Sequence, residues 1–191
     1  MVERDFGLES YDYFLPKGLI AQYPLEERDQ AKLLVYDRKR NRIEHRIFAE
    51  ITKYLSPGDC LVLNRTKVIP AKLKGRKESG GKVEVLLLRE ISSRFWKVSV
   101  NSLISPGKKI FFLQDLEATV KEKKNQNLLL EFNFDLRSRL KEIGEMPLPP
   151  YIKRQARDLP RTKFGTGQAW HELDRERYQT VYAEEEGAIA A

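Results

Sequence analysis

Two short stretches set rigid aromatic rings beside cations. MPLPPYIKR, at 146–154, places Pro147, Pro149 and Pro150 next to Tyr151, Lys153 and Arg154, and RYQTVY, at 177–182, places Tyr178 and Tyr182 next to Arg177 and Gln179. Rings flanked by cations suit unstacked nucleobases and phosphates, because every base has a π-face and every phosphate a charge. Tyr178 and Tyr182 are also spaced as i and i+4, which equally fits one packed helical stripe. The residue types leave both readings open. A third polar set, Asn64-Arg65-Thr66-Lys67, follows the apolar run Cys60 to Leu63. If that run is a buried strand, these side chains emerge at its C-terminal edge, where ligands of open α/β sheets bind. An ordinary strand connection would read the same way.

Other residue types carry less. Gly165-Thr166-Gly167 lacks the preceding buried strand and following amphipathic helix that would aim backbone N–H groups at a phosphate, so it reads as a loop tip. His45 and His171 have no second His or Cys at ligand spacing, which argues against a metal site. Glu184, Glu185 and Glu186 read as a solvated turn, although one of them could act as a base if partly buried. The single cysteine, Cys60, reads as a small buried hydrophobe, since one thiol builds neither a disulfide framework nor a metal site.

The elements that must position these groups follow from periodicity. LLVY, the polar turn DRKRN and alternation through Ile43, His45 and Ile47 predict a β-hairpin. Ile47, Phe48, Ile51 and Leu55 recur at helical spacing, and Ser56-Pro57-Gly58-Asp59 ends that helix before a buried strand at Cys60 to Leu63. From Lys67 to Phe134 the pattern becomes six short alternating runs separated by turn residues, which predicts a small closed antiparallel barrel without exposed edges. The fold class expected is therefore α/β: a layered α/β domain interrupted by an inserted six-stranded barrel. Asp135 to Ile143 predicts a helix with Asp135 as N-cap and Gly144 as its stop. Gln155 to Gln168 reads as a long basic loop.

The chain has 191 residues, 33% of them charged, and a net charge of +7, so a polyanionic partner competes with a merely solvated basic surface. No apolar stretch reaches the roughly 18 residues that cross a bilayer, and Glu3, Arg4 and Asp5 precede the first apolar run. These features predict a cytoplasmic protein with no membrane partner.

Four blocks in order resemble the S-adenosylmethionine:tRNA ribosyltransferase-isomerases of queuosine biosynthesis: IAQYPLEERDQAKLLVYDR at 20–38, HRIFAEITKYLSPGDCLVLNRTKVIPAKLKG at 45–75, GEMPLPPYIKR at 144–154, and DRERYQTVYAEEEGAIAA at 174–191. The resemblance implies an enzyme that transfers and isomerises the ribosyl part of S-adenosylmethionine onto 7-aminomethyl-7-deazaguanine at the wobble position of a tRNA. The product is epoxyqueuosine-tRNA, with adenine and methionine released. S-adenosylmethionine enters as co-substrate, no metal is required, and the partner is a tRNA anticodon stem-loop. The implied fold divides the chain into an α/β domain of 1–66 with 147–191, incomplete at its C-terminus, and a barrel of 67–146. The full-length protein would be a monomer.

On this reading Tyr178, Gln179 and Arg177 are the catalytic candidates, and Asn64, Lys67, Lys153, Arg154 and Tyr182 bind substrate. Lys67, Lys153 and Arg154 would meet phosphates or the methionine carboxylate, and the tyrosines a base. The family continues beyond the final Ala-Ala into a Pro-Thr-Ala-Gly-Leu-His-Phe block, its linker across 155–172 is shorter, and Arg65 stands where it usually carries a small or acidic polar residue. The chain is therefore expected to be an N-terminal fragment or one piece of a split enzyme. A barrel-type RNA-binding fragment without catalysis, or a purely structural fragment, would account for charge and strand count alone.

Overall fold

The computed structural model describes residues 7–153 and 168–189. The chain divides into two compact units, Met1–Cys60 with Pro150–Lys153, and Leu61–Pro149 with Arg154–Ala191.

In the first unit the predicted hairpin forms from β1 (Lys32–Asp37) and β2 (Arg42–Ile47), antiparallel and in register from Lys32↔Ile47 to Asp37↔Arg42. Its turn is closed by side chains. Asp37 Oδ1 accepts the N–H groups of Lys39 and Arg40 at 2.9 and 3.1 Å, and the Tyr36 hydroxyl donates to Asn41 Oδ1 at 2.8 Å. The following segment, expected as a helix, is a 3-10 run over Phe48–Tyr54 with no buried residue. Seven residues without a packed face do not stabilise an α-helix, and the tighter winding is the usual form of so short a piece. Ser56 to Asp59 then turns as expected, with Gly58 at φ +98, a conformation that disfavours any side chain.

The buried strand expected at Cys60 to Leu63 does not form. Cys60 is exposed, and Leu61, Val62 and Leu63 are 56%, 86% and 50% exposed. A strand is buried by its neighbours, and among the described residues none pairs with this run. Pairing begins further on, where β3 (Thr66–Val68) meets a strand from the chain's far end.

The barrel occupies the second unit. β4 (Lys72–Lys77), β5 (Lys82–Ser92), β6 (Phe95–Val100), β7 (Lys109–Phe111), β8 (Glu117–Lys124) and β9 (Asn127–Phe132) close in the order β4-β5-β6-β9-β8-β7, every pair antiparallel. These are the six runs read from the sequence, because period-two alternation sends one side of each strand inward. Leu73, Val85, Leu87, Val98, Leu130 and Phe132 are at most 1% exposed and fill the interior.

The helix expected at Asp135 to Ile143 shrinks to α1 (Leu140–Ile143). Asp135 Oδ1 accepts the Arg137 N–H at 3.0 Å, a local turn that competes with helix initiation. Leu136, 0% exposed, and Leu140, 5% exposed, both belong to the barrel's apolar core. Gly144 does end the helix, its N–H donating to Leu140 O at 3.0 Å, and a Cβ there would lie 2.1 Å from Pro70 O. Beyond it, Glu145 pairs with Lys72 through two backbone bonds of 3.1 and 2.8 Å.

α2 (Gln168–Arg177) and β10 (Glu185–Ala188) complete the described residues. The basic loop expected over 155–168, including Gly165-Thr166-Gly167, lies outside them save for Gln168.

Candidate functional site

Two segments more than a hundred residues apart in sequence meet beside the barrel. β3 and β10 pair in parallel, Thr66 with Glu185, Lys67 with Glu186 and Val68 with Ala188, with a register shift before the last pair. Short parallel pairs are weak on their own. Side chains supply what the ladder lacks. Gln179 Oε1 accepts the Val68 N–H at 3.0 Å and its Nε2 donates to Val68 O at 2.8 Å. One carboxamide thus satisfies both backbone groups of a residue that is 3% exposed, as a neighbouring strand would. Asn64 is used similarly: its Oδ1 accepts the Thr66 N–H at 3.0 Å and its Nδ2 donates to Thr180 Oγ1 at 3.4 Å.

Arg65, whose role the sequence left open, joins the two segments. Its carbonyl accepts the Glu184 N–H at 2.8 Å, and its guanidinium meets Glu184 at 3.1 Å and Glu185 at 2.6 Å. Glu186 faces Lys141 at 3.8 Å. All three glutamates are exposed, so the burial that a general base among them would need is missing.

α2 ends at Arg177, Tyr178 lies in the bend that follows, and Tyr182 lies in a turn. The packed helical stripe is thereby overturned: no helix joins the two tyrosines. Tyr178 and Arg177 are half-buried, Tyr182 is 58% exposed, and Lys67 and Asn64 are exposed. The helix is anchored by Arg175 Nη2, which donates to Gly144 O at 3.1 Å, and the Tyr178 N–H donates to Asp174 O at 2.9 Å. Asp174, 7% exposed, and Thr180 are the members of this junction that the sequence reading passed over. Asp174 stands four residues before Tyr178 on α2, and nothing in its spacing marks it for burial.

Asn64, Lys67 and Gln179 therefore meet at one sheet junction, and Arg177, Tyr178 and Tyr182 lie close to Gln179 in sequence. Lys153 belongs to the other unit, where its N–H donates to Gln22 Oε1 at 2.8 Å and Gln22 Nε2 donates to Tyr151 O at 3.1 Å. Arg154 lies outside the described residues. Among the described residues no three His, Cys, Asp or Glu side chains gather as a metal site, and no helix is long and apolar enough to cross a membrane.

A six-stranded barrel set into a chain whose distant segments meet in a parallel pair defines a mixed α/β protein with an inserted barrel. The model of the queuosine biosynthesis protein family matches residues 8–191, and the chain belongs to that family. It is 46% identical over 187 residues to the S-adenosylmethionine:tRNA ribosyltransferase-isomerase of Thermosipho africanus, covering 96% of this chain and 51% of the relative. The same-named protein of Sulfurihydrogenibium is 39% identical over 188 residues, covering 96% and 52%. A solved S-adenosylmethionine tRNA ribosyltransferase from Thermotoga maritima is 33% identical, covering 93% of this chain and 56% of that one, with a TM-score of 0.37. The chain spans about half the length of the curated relatives it matches.

Proposed function

We propose that this chain is the N-terminal portion of an S-adenosylmethionine-dependent tRNA ribosyltransferase-isomerase acting in the cytoplasm as a monomer when whole. The reaction moves the ribosyl unit of S-adenosylmethionine to 7-aminomethyl-7-deazaguanine at the wobble position of an anticodon stem-loop, rearranges it to epoxyqueuosine, and releases adenine and methionine. The observation that carries this is the match to relatives of that name over 96% of the chain. The domain division of 67–146 against 1–66 with 147–191 belongs to the same proposal.

The chemistry needs a base to take a proton beside the sulfonium, whose charge acidifies it, and a group to stabilise departing adenine. Arg177 and Tyr178 are assigned to the reacting groups. Gln179, with both ends of its amide on Val68, holds that junction and is a positioning residue. Tyr182 takes a base, Asn64 and Lys67 line the substrate edge, and Lys153 and Arg154 meet phosphate or the methionine carboxylate.

Adenine release from S-adenosylmethionine, dependent on tRNA bearing the deazaguanine base, tests this for the chain alone and for a family-length protein that carries it. The longer protein is expected to turn over, and Tyr178→Ala to lower turnover with an unchanged melting profile. No tRNA-dependent adenine release from the longer protein, or unaltered kinetics in Tyr178→Ala, would defeat the proposal or that assignment respectively.

A further inference from the structure

The barrel segment holds the excess charge of the chain. Residues 67–146 contain 17 Lys and Arg against 10 Asp and Glu, whereas the remaining residues contain 18 of each. Many of the barrel's cations are matched, among them Lys72 to Glu84 at 3.1 Å, Lys74 to Glu145 at 2.8 Å and Lys109 to Glu117 at 2.8 Å.

Arg76 and Lys82 differ. They stand directly opposite each other in the β4–β5 register, and Phe111 stands opposite Arg76 across the β4–β7 seam. One row across three strands therefore reads Lys82, Arg76, Phe111. Like charges in directly opposed positions destabilise a sheet. Among the described residues neither cation has a carboxylate at ion-pair distance; Arg76 Nη1 donates to Gly80 O at 3.1 Å. Phe111 is 41% exposed beside them. The row lines a cleft of about 580 Å3, together with Lys74, Phe112 and Leu113, and the one carboxylate in its lining, Glu84, is engaged by Lys72. The seam is tight: a Cβ on Gly75 would lie 2.8 Å from Phe111 O and 2.9 Å from Phe112 Cδ1.

We propose that this row is an RNA-binding face, with a backbone phosphate held between Arg76 and Lys82 and an unstacked base lying on Phe111. A phosphate converts the repulsion between the two cations into attraction, and an exposed ring beside them offers a stacking platform. Neighbouring strands lie about 4.8 Å apart, so the row spans roughly 10 Å, the reach of one nucleotide. The proposal rests on tRNA as substrate and assigns the surface that grips its single-stranded part. Arg89 and Lys97 form a second exposed like-charge pair, on β5 and β6, but their row continues to Leu129 and Glu122 and carries no aromatic ring. They make a control with the same charge change.

Binding of a labelled anticodon stem-loop RNA and of a blunt RNA duplex to the full chain tests this, each variant first compared with the parent by thermal melting. Arg76→Gln with Lys82→Gln is expected to weaken stem-loop binding about tenfold or more and to lower the salt slope by roughly one per lost phosphate contact. Phe111→Ala is expected to weaken the stem-loop by at least about fivefold while leaving the duplex unchanged. Arg89→Gln with Lys97→Gln should do much less. Equal losses from both double variants, no loss from the row variants, or no RNA binding by the parent chain would overturn the proposal. Two readouts separate it from the transferase reading. Adenine release with an unaltered KM for tRNA in the row variant of the family-length protein sinks the RNA face alone. Stem-loop binding that maps to the row without any adenine release sinks the transferase alone.

Discussion

The barrel and the run that leads into β3 treat apolar residues in opposite ways. Val83, Val85 and Leu87 alternate along β5 and are at most 1% exposed, whereas Leu61, Val62 and Leu63 form an equally apolar run and stand half exposed or more. The chemistry of the side chains is the same; the number of neighbours differs. Each barrel strand has a partner on both sides, while β3 and β10 have only each other among the described residues. Burial thus follows from how many neighbours surround a residue and not from hydrophobicity alone. The junction compensates with side chains, Gln179 and Asn64 standing in for backbone partners and Arg65 tying Glu184 and Glu185 to the edge. Ile189, just beyond β10, packs against the barrel's apolar core, so the weak element leans on the strong one.

The largest effect that tests this difference lies in the barrel. Phe132, 0% exposed with its ring centroid 5.9 Å from that of Phe112 and the two planes tilted by 35°, cannot be truncated without leaving a cavity in a closed wall. Phe132→Ala is expected to destabilise the chain by about 3–5 kcal/mol, read from denaturant unfolding. A loss below about 1 kcal/mol would mean that the barrel core collapses around the gap, against the close packing argued for it.

A smaller and more local effect belongs to the junction. Gln179→Ala removes the carboxamide that meets both the N–H and the C=O of buried Val68, and is expected to cost about 1–3 kcal/mol. Because the junction sits outside the closed ladder, amide exchange should quicken across 66–68 and 185–188 while β5, β6 and β9 stay protected. Equal loss of protection in both regions would erase the distinction between them.

The contrast also explains which parts were legible in the sequence. The six barrel strands and the hairpin β1–β2 were readable because each has at least one partner next to it in the chain and alternation reports burial directly. Cys60 to Leu63 misled because its composition resembles that of β5, and composition is silent about whether a neighbour exists. Asp135 to Ile143 misled because the cap residue and the stop residue were both present, yet Leu136 and Leu140 pack into the barrel core and the helix keeps a single turn. At the junction, residue types flagged Asn64 and Gln179 as chemically interesting, while their amides are engaged within the fold, Gln179 on Val68 and Asn64 on the Thr66 N–H and the Thr180 hydroxyl. The role of Arg65 needed the pairing of β3 with β10, which no local pattern encodes.

The smallest effect separates the electrostatics of the same two regions. Arg65, Glu184 and Glu185 are each well over half exposed, and such pairs contribute little. On the barrel wall, Glu131 receives Lys121 Nζ at 2.6 Å and Arg94 Nη2 at 3.4 Å. The hydrogen bond from Lys121 chiefly, with the charges of Lys121 and Arg94 and against some desolvation, holds its carboxyl below the ordinary glutamate value. A carboxyl whose folded pKa lies below its unfolded one stabilises the fold above the ordinary carboxylate range, and that contribution is lost as pH falls through the lowered value. Glu131→Gln is therefore expected to lower the melting temperature slightly near neutral pH, with the difference from the parent shrinking on acidification through that range. A difference that stays constant with pH would assign the loss to packing of the glutamine, and would place Glu131 with Arg65 among the contacts that tie strands together without a measurable electrostatic share.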